Sequence, residues 1–179
     1  MAWLREAATL DKDRPWALYV GFVAPHFPLV APQRYFDPYP VEEMPFPKLH
    51  PRDGYVRHPW VEDMARFSKT DLQFESDAQR QLAIAAYHAL CTLVDEQIGK
   101  ILDTLDATGL AETTRVIYTS DHGDNVGARG LWGKSVLYEE AARVPMIMAG
   151  PDVEPGVEKT TPVSLVDIYP TVLQATGVP

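Results

Sequence analysis

The sequence predicts an α/β fold, in which strands and helices alternate along the chain and pack in layers. Three short apolar runs are rich in aromatic and β-branched residues, which is typical of buried strands. These runs lie near residues 16–23, 115–120 and 144–149. Between the first two, residues 77–107 repeat apolar side chains at the spacing of a helix. We therefore expect one sheet built from the three strands, with helices covering its faces.

Composition limits the class of protein. Of the 179 residues, 46% are hydrophobic and 23% are charged, which indicates one globular domain with a core. The 25 acidic side chains outnumber the 16 basic ones, so we expect neither nucleic acid nor an anionic membrane as a partner. No apolar run approaches the ~20 residues that span a bilayer, and no signal-peptide pattern is visible. Any anionic ligand must therefore be captured locally, and the composition leaves the oligomeric state open.

The first half of the chain contains few regular elements. Residues 2–9 predict a short helix, and "DKDRP" predicts a turn into the first strand. From Pro25 to Pro59 the chain is dense in proline and aromatic residues, which predicts a long ordered loop without regular structure. Because such a loop exceeds a mere connection, we expect it to line or cover a site.

The second half alternates helices and strands. The helix at 77–107 is expected to stop near Gly109, because a left-handed glycine often ends a helix. Residues 135–143 predict a short helix after the second strand. After the third strand, residues 164–177 predict a last helix that is interrupted near Pro170. No repeat or linker divides the sequence, which indicates a single domain.

Polar chemistry is concentrated directly after the second strand, in "SDHGDNVGARGLWGKS". Asp121 and His122 stand where the strand ends, and Gly123 permits a bend that lets both side chains reach one ion. A carboxylate beside an imidazole suits a divalent cation, although two residues complete no metal's coordination shell. An aspartate that caps a turn and a histidine with a local hydrogen bond explain the spacing equally well.

A lysine follows on the same segment. Gly127, Gly130 and Gly133 let the backbone turn closely and return Lys134 toward the same strand end. Its flexible point charge suits an oxyanion or the charge that develops on a leaving group. The alternative interpretation is a solvated surface lysine.

Histidines before the long helix are further candidates. His26 follows the first predicted strand in "APHFP", and Pro25 and Pro28 restrict where its imidazole points. Taken alone, a structural role is the more common interpretation of such a histidine. His50 and His58 lie in the proline-rich loop, where we expect exposed side chains.

The run "VIYTSDHGDNVGARGLWGKSVLYEEAARVPMIMAGP" resembles the sulfatase family, within the larger group of alkaline phosphatase-like hydrolases. The resemblance extends backward through "YVGFVAPHFPLVAPQRYFDPYP" and forward through "VSLVDIYPTVLQATGVP", so it covers almost the whole chain. Bacterial enzymes similar to choline sulfatase and arylsulfatase look most alike, and the group shades into phosphonate monoester and phosphodiester hydrolases. The implied fold is a three-layer alkaline phosphatase-like sandwich, with a mixed, largely parallel sheet between helices.

The resemblance also implies roles for individual residues. The residues that match Asp121 and His122 bind a divalent metal, usually calcium, with manganese or magnesium as alternatives. The residue that matches Lys134 contacts the sulfate oxygens and the bridging ester oxygen, and His26 helps to protonate the leaving group. Many relatives have a Glu-His pair where this sequence has "AR", so Arg129 either binds the anion or is solvated. We expect Glu139, Glu140 and Arg143 to form a supporting ion network beside the loop that carries Lys134.

Two parts of the family's pattern have no match in the sequence. The nucleophile segment reads Cys or Ser, x, Pro, x, Arg, and its first residue becomes formylglycine; Cys91 in "CTLVDE" does not fit it. The paired N-terminal aspartates and the small C-terminal sheet domain are missing as well. We therefore expect residues 1–179 to be the central-to-late portion of a sulfatase catalytic domain, inactive alone. A phosphonate or phosphodiester hydrolase and a non-catalytic anion-binding fragment remain the alternatives to a metal-dependent hydrolase of sulfate esters.

Overall fold

The computed structural model describes residues 1–10 and 15–178, so most of the predicted turn in "DKDRP" lies outside the described residues. Contacts within the chain divide it into two compact units. The first unit comprises Met1–Gly21, Ile98–Asp121 and Met146–Pro179. The second unit comprises Phe22–Gln97 and His122–Pro145.

Helices dominate the described residues. In chain order they are α1 (Ala2–Ala7), α2 (Gln33–Phe36), α3 (Pro59–Ser68), α4 (Asp77–Ala107), α5 (Glu139–Ala142) and α6 (Ile168–Thr176). The two strands are β1 (Val116–Thr119) and β2 (Met146–Ala149). No helix in this part of the chain has both the length and the apolar character needed to cross a membrane.

The long helix α4 has the bounds that the periodic pattern predicts, Asp77–Ala107. Within the second unit it buries Ala86, Ala89 and Leu90, which lie at positions i, i+3 and i+4 of one helical face. Gly109 follows the helix with φ 70°, the left-handed conformation expected at its end. The predictions of the helix and of its stop are therefore confirmed.

The first unit contains the sheet. β1 and β2 pair antiparallel, with Ile117 opposite Met148 and Tyr118 opposite Ile147. This pairing confirms the second and third predicted strands. No parallel pair of strands forms within the described residues. The antiparallel β1–β2 pair therefore accounts for only a small part of the mixed sheet that was expected.

The first predicted strand does not form. Residues 15–23 adopt no regular structure, and the side chains of Tyr19 and Val23 are 91% and 81% exposed. A strand needs a neighbour that takes up its N–H and C=O groups, but the two described strands pair with each other. The prediction was wrong because apolar composition alone does not supply that neighbour.

The last helix is not interrupted at Pro170. A 3₁₀ turn at Leu165–Asp167 leads into α6, and Pro170 is the third residue of that helix. The N–H groups of a first helical turn have no acceptor within the helix, so proline removes no hydrogen bond there. The prediction of an interruption overlooked this position effect.

The proline-rich loop holds only short elements, namely α2 and 3₁₀ turns at Val41–Glu43 and Pro51–Asp53. Helix α3 was not predicted, and it begins at Pro59, the last residue of the predicted loop. His58 caps this helix, because its Nδ1 accepts the N–H of Trp60 at 3.3 Å, and Pro59 occupies the first helical position. Histidine is not among the usual capping residues, which explains why the start was missed.

A small apolar core supports the segment that carries Lys134. We call residues 123–135 the lysine loop. Leu131 of this loop and Val136 after it pack with Val61 of α3 and Ala141 of α5 in the second unit. The core therefore fixes one side of the loop against two helices.

Candidate functional site

The lysine loop is closed by hydrogen bonds across its base. Both the main-chain N–H and the side-chain Nδ2 of Asn125 donate to the carbonyl of Gly133, at 2.9 and 2.6 Å. The Oδ1 of Asp124 accepts the N–H of Gly133 at 2.9 Å and that of Val126 at 2.8 Å. The residue that precedes Lys134 is thus held at both its N–H and its C=O.

Lys134 meets His26 in the second unit. The Nζ of Lys134 lies 2.8 Å from the Nε2 of His26, although 108 positions separate the two residues. The Nδ1 of His26 lies 2.8 Å from the carbonyl oxygen of Phe27, so Nδ1 carries the proton and donates. It follows that Nε2 accepts a hydrogen bond from the ammonium group.

His122 lies close to this pair. Its ring centroid is 6.4 Å from that of His26. Its Nδ1 lies 2.8 Å from the carbonyl oxygen of Gly123, which assigns the proton to Nδ1 and the lone pair to Nε2. The structure therefore brings together His26, His122 and Lys134. Asp121 directly precedes His122 in the chain and is the last residue of its segment in the first unit.

The described residues do not make a complete metal site. Among them, no group of three or more His, Cys, Asp or Glu side chains is arranged to hold a metal ion. Calcium takes ~6–8 oxygen ligands, far more than Asp121 and His122 supply. These two residues fit a metal only as part of a larger ligand set.

Arg129 is committed to an internal ion pair. Its Nη1 lies 2.8 Å from the Oε2 of Glu140, and its guanidinium lies over the ring of Tyr138 at 4.0 Å. The side chain is only 13% exposed, so the solvated interpretation is wrong. Its Nε is buried without a hydrogen-bond partner in the described part of the chain.

Two positively charged side chains contact the carboxylate of Glu140. The Nζ of Lys48 lies 2.6 Å from its Oε1, and Arg129 contacts its other oxygen. Burial alone would raise the pKa of Glu140, but hydrogen bonds from Lys48, from its own backbone and from Arg129 lower that pKa to about 2. The predicted ion network is therefore partly corrected. Arg143 pairs with exposed Glu139 at 3.8 Å instead, as an i, i+4 pair on the surface.

A second anchor of the lysine loop was not foreseen. We call His50, Asp71, Arg80 and Trp132 the Asp71 hub. The carboxylate of Asp71 accepts Nε1 of Trp132 at 3.0 Å, Nε of Arg80 at 3.1 Å and Nε2 of His50 at 3.1 Å. Because Trp132 lies two residues before Lys134, the hub ties the loop to the rest of the second unit.

The hub corrects the expectation for His50, which is 7% exposed and not a surface side chain. Burial works to raise the pKa of Asp71, but hydrogen bonds from Arg80, Trp132 and His50 outweigh it, so the pKa is lowered. The carboxylate therefore stays ionised inside the unit. The hub's members are far apart in sequence, and no spacing motif signals them.

Known proteins resemble the chain along nearly its whole length. A family model described as Sulfatase matches residues 1–178. A sulfatase from Formosa agariphila is 33% identical over 178 residues, which cover 98% of this chain and 35% of the relative. A choline-sulfatase from Rhizobium meliloti is 36% identical over 174 residues, or 94% of this chain and 33% of the relative. The chain thus spans about a third of the length of these relatives.

A solved structure shows the same arrangement of elements. The phosphonate monoester hydrolase SpPMH from Silicibacter pomeroyi matches with a TM-score of 0.77 and 33% identity, over 86% of this chain and 32% of that one. This likeness confirms the predicted fold class, an incomplete α/β structure of the alkaline phosphatase-like type.

Proposed function

The chain belongs to the sulfatase family, and on that premise we propose that the protein containing it hydrolyses small-molecule sulfate esters. The contact between Lys134 and His26 is the observation that carries this proposal. Lys134 supplies a cation that stabilises a sulfate oxygen, and His26 supplies an imidazole for proton transfer to the leaving group. Both residues occupy positions that match the family's motifs.

In this proposal Lys134 binds the anion and stabilises the negative charge that grows on the ester oxygen. The lone pair of His26 Nε2 accepts a hydrogen bond from the ammonium, so a proton is shared at this point. As the ester bond breaks, the departing oxygen takes up a proton from this pair. Phe27 fixes the other ring nitrogen and so keeps Nε2 directed toward Lys134.

The remaining groups of the proposal are incomplete in this chain. Asp121 and His122 contribute two ligands to a divalent cation, calcium first, with other ligands from outside these 179 residues. A formylglycine nucleophile also comes from outside, because no Cys or Ser, x, Pro, x, Arg segment is present. Arg129 has only an indirect role in anion binding, because its guanidinium already pairs with the carboxylate of Glu140.

Hydrolysis of a phosphonate monoester is the second candidate. It is favoured by the likeness to SpPMH, with its TM-score of 0.77 and 33% identity. Lys134 suits the oxyanion of either ester, so this side chain does not distinguish them. A non-catalytic anion-binding role is the remaining alternative.

The test compares three esters on the full-length protein in the presence of calcium. The substrates are 4-nitrophenyl sulfate, 4-nitrophenyl phenylphosphonate and bis(4-nitrophenyl) phosphate, which release the same chromophore. We expect the largest kcat/KM for the sulfate ester. A larger value for the phosphonate ester establishes the second candidate, and sulfate binding without turnover of any ester establishes the anion-binding role.

A further inference from the structure

We propose that Asp124 is a positioning residue for Lys134, which it holds through the peptide N–H of Gly133. The inference rests on the role proposed above for Lys134. The carboxylate accepts the N–H of Gly133 at 2.9 Å and that of Val126 at 2.8 Å, both at Oδ1. One oxygen therefore joins the start of the lysine loop to its end.

Packing does not hold Gly133 itself, although its neighbours on both sides are anchored. A Cβ placed on Gly133 would meet no atom within 4 Å, so open space surrounds that face of the residue. Gly133 has φ 78°, a conformation that glycine adopts without steric cost and that packing does not enforce here. The direct contacts that hold Gly133 are therefore its hydrogen bonds with Asp124 and Asn125.

Asn125 completes the clamp from the other side. It is 3% exposed, and its Nδ2 donates to the carbonyl of Gly133 at 2.6 Å. Its Oδ1 is buried and has no hydrogen-bond partner among the described residues. Burying a polar oxygen without a partner lowers stability. The orientation that lets Nδ2 bond to Gly133 therefore costs the protein some stability. Asp124 thus holds the Trp132–Gly133 peptide and Asn125 holds the Gly133–Lys134 peptide, the two peptide groups that lead into Lys134.

Asp124 and Asn125 hold the residue that is next to Lys134 in the chain. Gly133 is joined directly to Lys134, whose Nζ lies 2.8 Å from Nε2 of His26. A displacement of about 1 Å between reacting groups can cost ~100-fold in rate. In this proposal Asp124 positions the ammonium group of Lys134 and does not itself contact the substrate.

The experiment uses the full-length protein and three aspartate variants. Asp124→Ala removes the acceptor, and Asp124→Asn keeps an oxygen at the same place. Asp167→Ala is the matched control, because Asp167 also accepts a main-chain N–H, from Ser164 at 2.7 Å, but lies at the start of α6. We measure kcat and KM with 4-nitrophenyl sulfate, each in the Lys134 and in the Lys134→Ala background.

We expect Asp124→Ala to lower kcat/KM by ~10- to 100-fold when Lys134 is present. Asp124→Asn should recover the rate to within about threefold, and Asp167→Ala should leave it unchanged, on the scale at which distant sites act independently. In the Lys134→Ala background, Asp124→Ala should have little further effect. Equal losses in both backgrounds would show that Asp124 acts on something other than Lys134 and would overturn the proposal.

Amide hydrogen exchange separates this inference from the proposed function. Asp124→Ala should speed exchange in the peptide that contains Gly133, and Asp124→Asn should not. Unchanged protection in Asp124→Ala would reject the clamp, whatever the activity. If no sulfate ester is hydrolysed, or if Lys134→Ala is fully active, the proposed function fails while the exchange result still decides whether Asp124 holds Gly133.

Discussion

Lys134 offers the most direct test of the site at the level of one side chain. Its ammonium contacts Nε2 of His26 at 2.8 Å. We expect Lys134→Ala in the full-length protein to lower kcat/KM for 4-nitrophenyl sulfate at least ~100-fold, the scale of losing a partner of transition-state charge. The control is Lys159→Ala, because Lys159 is exposed and its Nζ lies 3.9 Å from Oε2 of Glu154. A fully active Lys134→Ala enzyme would remove the role assigned to the lysine.

Glu140 should make the stability of the protein sensitive to acid. Its pKa is about 2 in the folded state against an ordinary value of 4.5, so the folded state favours the ionised carboxylate. This stabilisation is present above pH 4.5 and is lost as the pH falls toward 2. We expect Glu140→Gln to lower the free energy of unfolding at pH 7 and to flatten its decline in that window.

Denaturant unfolding followed from pH 7 to pH 2 measures this effect. Glu139→Gln is the control, because that side chain is 79% exposed and its ion pair with Arg143 is long, at 3.8 Å. A decline with pH that is equally steep in wild type and in Glu140→Gln would contradict the assignment.

The sequence predicted some site residues and missed others for physical reasons. The family motifs selected His26 and Lys134, and in the folded chain the two side chains lie 2.8 Å apart. The clamp by Asp124 depends on loop closure, and the Asp71 hub depends on tertiary contacts. Neither leaves a periodic signal, because their hydrogen bonds join residues at irregular separations. Arg129 was left undecided because its partner Glu140 becomes its neighbour only in the folded chain.

Two glycines, one in a helix and one in the lysine loop, should respond in opposite ways to a methyl group. Gly99 lies inside α4, and a Cβ there would meet nothing within 4 Å. Gly99→Ala should therefore stabilise the fold by about 0.5–1 kcal/mol, because alanine loses less backbone entropy in a helix. Gly123→Ala should destabilise it by roughly 1–3 kcal/mol, since its Cβ would overlap the main-chain oxygen of Glu140.

Thermal unfolding of the two glycine variants beside wild type measures these shifts. We expect a higher Tm for Gly99→Ala and a lower one for Gly123→Ala. A lower Tm for Gly99→Ala would mean that the helix is packed more tightly around that position than the structure describes.

Elements were predictable where their signal is local. The pattern over 31 residues of α4 gave correct bounds because helical hydrogen bonds connect near neighbours in the chain. Residues 15–23 carry an equally clear strand composition, yet strand formation depends on a partner far away in sequence. Pro170 and α3 show a third case, in which the effect of proline depends on its place within the helix.

At the scale of the whole molecule, activity should depend on residues beyond these 179. The sequence contains no candidate for a covalent nucleophile, and its two predicted metal residues complete no calcium shell. We expect the 179-residue chain to release no sulfate from 4-nitrophenyl sulfate, with or without calcium or manganese. The full-length protein, matured to formylglycine, should release it. Metal-dependent hydrolysis by the short chain alone would show that the site is complete without further residues.

The unpaired segment at residues 15–23 also has a consequence for handling the protein. Residues 16–23, "WALYVGFV", are apolar, uncharged and free of proline, and Tyr19 and Val23 are strongly exposed. Segments of this kind form fibrils by stacking strands from many molecules. We expect the 179-residue chain to aggregate as its concentration rises, with thioflavin-positive deposits. Tyr19→Lys should keep the chain soluble by placing a charge in every layer of such a stack.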